Sequence, residues 1–309
     1  MRFYTNVQMI GNQFLVRGYD NGQHVMFREE YSPTLFVPSK KKTNHKTLEG
    51  DFVEPVKPGL VRDCKEFINK YQDVDGFSIY GNERFTYQYI SDKYPETEIK
   101  FDTSKIKLVT LDIEVAAENG FPDTESCSEE ILTITIQDYN TKKIITWGVK
   151  PFNNTQSNVT YHECTSEHHL LSSFMSFWTN DYPEVITGWN IQFYDIPYIC
   201  GRLGKVLGEK QRRMFSPWGM VTYREMFVHG RKQIFYEVNG ISQLDYLDLY
   251  KKFTYKAQES YRLDHIASVE LGQKKLDHSE FDTFKDFYTQ NWQKFVEYNI
   301  IDVELVDRL

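Results

Sequence analysis

The sequence predicts an α/β protein of two domains: a small α+β amino-terminal domain over residues 1–103, then an α/β domain with a mixed sheet over residues 104–309. The chain has 309 residues, and a domain holds about 150 residues on average. Hydrophobic residues make up 40% of the chain and aromatic residues 16%, which supplies enough apolar side chain for two cores. Hairpin patterns come first and strands alternate with helices later, as in a mixed α/β sheet.

The amino-terminal domain begins with antiparallel strand patterns. Strands are expected at 3–9 and 24–30, broken by a turn at 18–22 that contains an Asn-Gly pair, a strong hairpin signal. Apolar residues recur with helical spacing over 61–71, so a helix is expected there. These elements together predict an α+β unit.

The second domain begins with three apolar strand patterns, at 106–115, 131–139 and 144–150. The polar turn at 140–142 favours antiparallel pairing of the last two strands. We expect these strands to form one edge of the sheet.

Helices and strands alternate after these strands. Ser166 is placed to cap a helix over 168–178, a strand is expected at 184–190, and a helix at 193–207. The stretch 244–309 is predicted to be mostly helical. This alternation is typical of a mixed α/β sheet.

The charge balance is acidic, since 36 Lys and Arg against 44 Asp and Glu give a net charge of −8. This excess argues against a protein that binds nucleic acid through clustered basic residues, but not against an enzyme that contacts phosphates through metal ions. No apolar run approaches the roughly 18 residues of a membrane span, and the first residues lack the apolar core of a signal peptide. We therefore expect a cytoplasmic protein without a membrane partner. The widely spaced cysteines are expected to be reduced thiols: Cys64, Cys127, Cys164 and Cys200.

Two acids on the first strand of the second domain are candidates for metal binding. Asp112 and Glu114 are two residues apart, so both leave the same face of the strand. Crowded carboxylates in an apolar setting need a cation between them, and oxygen ligands suit Mg²⁺ or Mn²⁺. Taken by itself, the pair favours the other interpretation, solvated acids on a strand near the surface.

Further candidates follow later in the chain. Asp195 is expected in the first turn of a helix, where it either starts the helix or faces the edge of the sheet at which ligands collect. Asn190 precedes it as a turn residue or a phosphate ligand. Tyr298 and Asp302 are four residues apart and are expected on one face of a long helix. They are either solvated surface residues or parts of a site.

The order of these motifs resembles the proofreading 3′–5′ exonucleases of the ribonuclease-H-like class. The segments 91–115, 187–199, 244–253 and 298–306 are similar to the amino-terminal and exonuclease regions of T-even-like bacteriophage DNA polymerases of family B. No polymerase palm signature occurs in the 309 residues. The resemblance therefore implies a fragment of a longer polymerase or one product of a split gene, with no polymerase activity expected from this chain alone.

The resemblance also implies roles for the candidate residues. Asp112, Glu114 and Asp302 would hold one divalent cation, and Asp112 would bridge to a second cation that Asp195 helps to hold. Tyr298 would orient the attacking water. Mg²⁺ or Mn²⁺ would supply both ions.

A substrate contact is implied at one more position. Phe121 follows Gly120 in a turn and is either a wedge against the terminal bases or a packing residue. Asn190 is the other candidate for substrate binding, and it stays open between a turn residue and one whose amide contacts a phosphate. The segment 220–238 is expected to form a long hairpin, with 228–231 at its turn, and resembles the loop that parts primer from template. Its alternative is a plain surface hairpin.

One histidine-rich segment imitates a metal site. His162, Glu163 and Cys164 lie close in sequence to His168 and His169, but the usual paired spacing of zinc ligands is missing. We expect a helix cap at Thr165 or Ser166 instead.

The leading hypothesis is a metal-dependent 3′–5′ exonuclease that acts on single-stranded DNA or a primer 3′ end. Two alternatives remain: an RNA-trimming exonuclease with the same acids, and a non-catalytic nucleic-acid-binding or scaffolding half of a split polymerase. The expected partner is the palm-bearing remainder of the polymerase. If the protein is viral, its location is the infected host cell.

Overall fold

The computed structural model describes residues 2–95, 98–118, 120–228, 231–273 and 275–309. The chain forms two compact units, residues 1–103 and residues 104–309. The second unit carries the acidic motifs, so its architecture decides where the candidate site lies.

The first unit begins with an antiparallel sheet of consecutive strands, β1 (Arg2–Ile10), β2 (Gln13–Asp20) and β3 (Gln23–Glu30). The hairpin turn at Asn21 and Gly22 is confirmed, because their φ angles are 49° and 79°, as a two-residue turn of type I′ requires. The predicted break over 18–20 is wrong, because these residues belong to β2. Close packing against β1 requires glycine at position 18, because a Cβ on Gly18 would lie 2.2 Å from the backbone carbonyl oxygen of Phe3.

The remainder of the first unit is a smaller antiparallel sheet packed with helices. Its elements are β4 (Leu35–Pro38), β5 (His45–Lys46), β6 (Phe52–Val56), α1 (Val61–Tyr71) and α2 (Phe85–Lys93). The predicted helix over 61–71 is confirmed by α1. α2 was not predicted, because its buried Phe85 and Tyr89 stand among polar residues that weaken the apolar period. Tyr89 stacks on Phe14 with ring centroids 4.6 Å apart.

The second unit is built on a mixed sheet and a separate hairpin. Its strands are β7 (Leu108–Val115), β8 (Ile131–Asp138), β9 (Ile144–Gly148), β10 (Val159–Glu163), β11 (Val185–Gly188), β12 (Val221–Val228), β13 (Arg231–Val238) and β14 (Ser242–Asp245). The sheet has the order β10-β9-β8-β7-β11-β14. β7, β8 and β9 pair antiparallel, whereas β10, β11 and β14 pair parallel with β9, β7 and β11. The predicted mixed sheet is confirmed.

The position predicted for the first three strands of this sheet is wrong. They do not form an edge, because β10 pairs outside β9 and β11 pairs outside β7. β12 and β13 pair antiparallel, which confirms the predicted hairpin. Two of its predicted turn residues, His229 and Gly230, lie outside the described residues.

Helices of the second unit flank this sheet. They are α3 (Glu167–Asn180), α4 (Asp195–Arg202), α5 (Glu209–Arg213), α6 (Tyr246–Phe253), α7 (Leu263–Leu271), α8 (Phe284–Gln290) and α9 (Trp292–Arg308). The predicted cap of α3 is confirmed, since the Ser166 hydroxyl oxygen accepts from the His169 backbone N–H at 3.2 Å. The predicted helix over 193–207 begins at Asp195 and ends in a π-helical turn at Leu203–Leu207. Within the described ranges, none of the helices has the length and apolar character needed to cross a membrane.

Helices cover both faces of the sheet, and strand alternation divides the residues of β7 between them. Leu111 and Ile113 enter a core that includes residues of α3 and α4. Asp112 and Glu114 leave the opposite face, toward α9, whose Phe295 and Ile300 belong to a second core. The acids therefore lie between the sheet and α9.

A buried ion pair fixes the connection that enters β8. Glu167, on α3, accepts from the Arg202 Nε at 2.7 Å and from the Ile131 backbone N–H at 2.9 Å. Arg202 Nη1 also donates to the carbonyl oxygen of Cys127 at 3.0 Å. Both charged side chains are almost fully enclosed, so each depends on the other for compensation.

We expect Arg202→Ala to lower the free energy of unfolding by about 3–5 kcal/mol in urea titrations, because Glu167 would keep its buried charge without its cation. Arg213→Ala is the control, since Arg213 pairs at 3.4 Å with Glu209 and both are at least half exposed. Its expected loss is at most about 1 kcal/mol. Equal losses in the two variants would contradict the importance of the buried pair.

Candidate metal and nuclease site

The structure brings three of the predicted acids together. Asp112 and Glu114 on β7 and Asp302 on α9 each offer a carboxylate oxygen, and these oxygens all lie within 4.8 Å of one another. Asp302 is 3% exposed, whereas the strand acids are partly exposed. The cluster is therefore open to solvent on one side and closed on the other.

Helix α9 approaches β7 through a chain of buried polar contacts. The Asn299 amide Nδ2 donates to Asp112 Oδ2 at 2.6 Å. The side-chain oxygen Oδ1 of Asn299 accepts from the Thr135 hydroxyl, and the Thr135 and Thr146 hydroxyls are 2.9 Å apart. Asn299 thereby holds the carboxylate of Asp112 in place.

Lys275 lies against the two predicted residues of α9. Its ammonium forms an ion pair with Asp302 Oδ2 and lies 3.2 Å from the phenol oxygen of Tyr298. Asp302 Oδ1 is buried and has no hydrogen-bond partner among the described residues. One oxygen of Asp302 thus remains for another ligand.

Burial and mutual repulsion dominate the electrostatics of the cluster. Burial raises the pKa of Asp112 well above its usual range, and neighbouring carboxylates, Asp302 foremost, raise it further. Burial and Asp302 act in the same direction on the pKa of Glu114. Burial raises the pKa of Asp302, although Lys275 opposes this change. The site therefore favours either bound protons or bound cations.

Asp195 approaches β7 from the side of α4. Its Oδ1 accepts from the backbone N–H of Ile113, between the two strand acids, at 3.1 Å. Burial raises the pKa of Asp195 to about 7, and the Ile113 N–H opposes this rise. Asp195 is the first residue of its helix, as predicted, but it does not belong to the cluster of carboxylates within 4.8 Å.

Asn190 lies in a loop that a buried carboxylate holds. Its φ is 66°, a left-handed conformation that Asn tolerates better than most residues. Asp245 accepts from the Asn190 backbone N–H with Oδ1 and from the Gln192 N–H with Oδ2, both at 3.0 Å. The loop between β11 and α4 is thereby pinned at the carboxyl end of β14.

Phe121 is 86% exposed, and its ring lies 5.4 Å from the ring of Tyr194, the residue before Asp195. Glu118 fixes the chain upstream of Phe121, since it accepts from the Tyr288 hydroxyl at 2.7 Å and pairs with Lys285. The ring is thus presented to solvent from an anchored segment rather than packed into a core.

The histidine-rich segment has structural contacts. The His162 ring stacks on Trp147 at 5.4 Å, and His169 Nδ1 accepts from the Thr165 backbone N–H at 3.2 Å. Among the described residues, only the acidic cluster gathers three or more candidate metal ligands. All four cysteines are free and buried.

Sequence reasoning missed three residues of the site. Lys275 follows the end of α7 in a lysine-containing loop without any motif. Asn299 is adjacent to Tyr298, and its place on the buried face of α9 was available from helical spacing. Asp245 is the last residue of β14, and an acid at the carboxyl end of a parallel strand is a signal for a ligand or a loop anchor.

Known proteins match this chain over most of its length. The exonuclease domain of DNA polymerase family B matches residues 77–266. The chain is 30% identical to the DNA-directed DNA polymerase of Enterobacteria phage T4 over 99% of its length, and 30% identical to that of Escherichia phage RB69 over 97%. It is 29% identical to the DNA polymerase catalytic subunit of human herpesvirus 6A over 54% of its length, which is 17% of that subunit.

Each phage match covers 36% of the relative, so the chain spans about a third of the length of these polymerases. The matched region contains both acids of β7 and Asp195. The phage matches extend over nearly all of the chain, which includes the helix that bears Asp302. This chain therefore belongs to DNA polymerase family B, and its residues 77–266 match the exonuclease domain of that family.

Proposed function

We propose that this chain is a metal-dependent 3′–5′ exonuclease of the proofreading type, which releases nucleotides from single-stranded or frayed DNA 3′ ends. The observation that carries this proposal is the set of three carboxylate oxygens within 4.8 Å of one another in a member of this family. The antiparallel strands β7, β8 and β9, extended by parallel strands between helices, support a ribonuclease-H-like fold for residues 104–309.

The residues fit divalent cations. The four carboxylates of Asp112, Glu114, Asp195 and Asp302 lie close to one another, and the ammonium of Lys275 pairs with that of Asp302. Hard oxygen ligands of this kind suit Mg²⁺ or Mn²⁺, and the unpartnered oxygen of Asp302 supports a ligand at that point. Asp112, Glu114 and Asp302 would hold one ion, and Asp112 with Asp195 a second.

Bound cations would lower the pKa of a water and stabilise the charge on the departing 3′ oxygen. The protein orients that water. Burial raises the pKa of Tyr298, although Lys275 opposes the rise, so the phenol stays protonated at neutral pH. Lys275 donates to the phenol oxygen at 3.2 Å, which directs the phenol proton toward a water.

The exposed ring of Phe121 and the adjacent Tyr194 offer apolar faces to a terminal base, and stacking of this kind tolerates any base. Asn190 lies in the pinned loop, and its side-chain amide would donate a hydrogen bond to a phosphate of the substrate. The palm-bearing remainder of a polymerase is the proposed partner, because the phage relatives are about three times as long as this chain.

The scaffolding alternative predicts a chain that binds DNA without cutting it. All four proposed metal ligands are Asp or Glu residues, and the Asn299 amide orients Asp112 through a hydrogen bond. A passive scaffold has no need of mutually repelling buried acids, which lower stability without a cation. Catalysis is therefore the better supported proposal.

Asp112→Ala should lower the cleavage rate of a 3′-labelled oligonucleotide by about 10³-fold or more, because the proposed bridging ligand is lost and metal stabilisation is worth several kcal/mol. Chelator added to the parent protein should stop cleavage equally. Asp73→Ala, an exposed acid of the first unit, is the control and should cleave at the parent rate. Cleavage by Asp112→Ala at the parent rate would exclude this site, and preferred cleavage of RNA would favour the RNA-trimming alternative.

Tyr298→Phe should slow single-turnover cleavage in Mg²⁺ by about ten- to a hundredfold, the value of one lost hydrogen bond of about 1–3 kcal/mol. Asp302→Ala should be slower still, because it removes a ligand and frees the charge of Lys275. DNA affinity should be similar in Tyr298→Phe and the parent. If Tyr298→Phe and Asp302→Ala slowed cleavage equally, the phenol would have a larger role than orienting the water.

Without metal, stability should fall as pH rises. Burial raises the folded-state pKa values of these acids above the ordinary value of about 4, so the folded state binds more protons than the unfolded chain. The resulting stabilisation is complete below about pH 4 and is lost as pH rises through these pKa values, which for Asp195 means about 7.

Urea unfolding in chelator should therefore show a steeper decline with pH for the parent than for Asp112→Asn, which keeps an acceptor for Asn299. Mg²⁺ at about 100 times its Kd should add about 2.7 kcal/mol to the parent at neutral pH, and much less to Asp112→Asn. Asp73→Asn should follow the parent in both buffers. Identical pH profiles for the parent and Asp112→Asn would contradict the predicted repulsion.

Single-stranded and mismatched 3′ ends should be digested at least about tenfold faster than a matched blunt duplex, because unpairing a terminal nucleotide costs a few kcal/mol. Initial rates on oligonucleotides of identical 3′ sequence measure this ratio. Equal rates would show that strand separation does not limit the reaction.

A further inference from the structure

Basic and aromatic side chains cover the end of α6 and the loop that follows. Residues 251–256, Lys-Lys-Phe-Thr-Tyr-Lys, contain three lysines and two aromatic residues but no acid. Phe253 is 69% exposed and Tyr255 is fully exposed, and all three lysines are exposed as well. We name residues 251–256 the α6 patch.

The composition of the α6 patch matches one kind of ligand. Large aromatic side chains are mostly buried in folded proteins, so two exposed rings within three residues indicate a contact surface. The patch also carries three positive charges and no acid, within a chain of net charge −8. Rings that stack on bases, together with ammonium groups that contact phosphates, are the usual means of binding single-stranded nucleic acid.

Helix α6 connects this patch to the candidate site. Asp245 caps α6 by accepting from the Leu247 N–H at 3.0 Å, and the same carboxylate holds the backbone of Asn190. The eight residues of α6 span about 12 Å. The α6 patch thus comprises the last turn of this short helix and the loop that follows it, and the first turn of the helix is held at the loop of the site.

Contacts on the inner side of α6 hold it in place. Tyr250 is 9% exposed; its ring lies 6.1 Å from that of Trp189, and its hydroxyl donates to Glu270 at 2.5 Å. Because Trp189 directly precedes Asn190, the helix and the pinned loop form one packed unit. The α6 patch therefore lies at a fixed distance from a DNA strand that is bound at the site.

We propose that the α6 patch binds single-stranded DNA upstream of the 3′ nucleotide, with Phe253 and Tyr255 stacking on bases and Lys252 and Lys256 contacting phosphates. The inference rests on the proposed function, because the strand whose 3′ end is cut supplies these upstream nucleotides. Contacts of this kind are independent of sequence and fall with salt concentration.

Fluorescence anisotropy with oligothymidylates of about 16 and about 4 nucleotides tests the proposal, since the short strand fills the site alone. Asp112→Ala in chelator serves as the parent, so that no digestion occurs. Adding Phe253→Ala and Tyr255→Ala should raise the Kd for the long strand about tenfold or more and leave the short strand unchanged. Adding Lys252→Ala and Lys256→Ala should reduce the slope of log K against log salt by about 1.4.

The matched control is Tyr139→Ala with Lys143→Ala, an aromatic residue that is 50% exposed and a nearby exposed lysine on another turn. Unfolding midpoints should match the parent in every variant, because all substituted side chains are exposed. An unchanged Kd for the long strand in the α6 variants, an equal loss in the control, or an equal loss for the short strand would overturn the proposal.

Digestion of the same strands by the unsubstituted protein in Mg²⁺ separates the two proposals. Digestion together with unchanged binding in the α6 variants would overturn the patch and leave the nuclease. Patch-dependent binding of the long strand without digestion would overturn the nuclease and leave the patch as a DNA-binding surface.

Discussion

Carboxylates crowded into a half-closed cleft are the constraint around which the second unit is organised. Alternation along β7 sends Asp112 and Glu114 to the same face, and α9 adds Asp302 from the opposite side. Charges of one sign at this separation destabilise the folded chain unless protons or cations balance them. Lys275 balances one of them. The remaining charge makes the site receptive to divalent ions, and the same repulsion that weakens the fold favours binding.

The frame around the cleft keeps these charges from relaxing apart. The Asn299 side-chain amide donates a hydrogen bond to Asp112, and the Ile113 backbone N–H donates one to Asp195. Asp245 holds the loop at Asn190 and caps α6. Each of these contacts uses a buried polar group that would cost free energy if left unpaired. The polar chemistry of the site and the stability of the fold therefore depend on the same hydrogen bonds.

Family membership and site geometry support one another without being the same argument. The family match reaches residue 266, whereas Tyr298, Asp302 and Lys275 lie beyond it and meet the strand acids only in space. The chain spans about a third of the length of its phage relatives. The exposed aromatic and basic α6 patch is one surface whose chemistry points to DNA itself.

The sequence by itself determined the mixed α/β character of the second unit, the helix of Tyr298 and Asp302, and the shared face of Asp112 and Glu114. These features follow from local periods of two and 3.6 residues, which a pattern of residue types expresses directly. Strand order, and with it the central position of β7, was decided by pairing between distant segments. Lys275 belongs to the same class: its role comes from a contact with Asp302 across 27 residues, and no local period encodes such a contact.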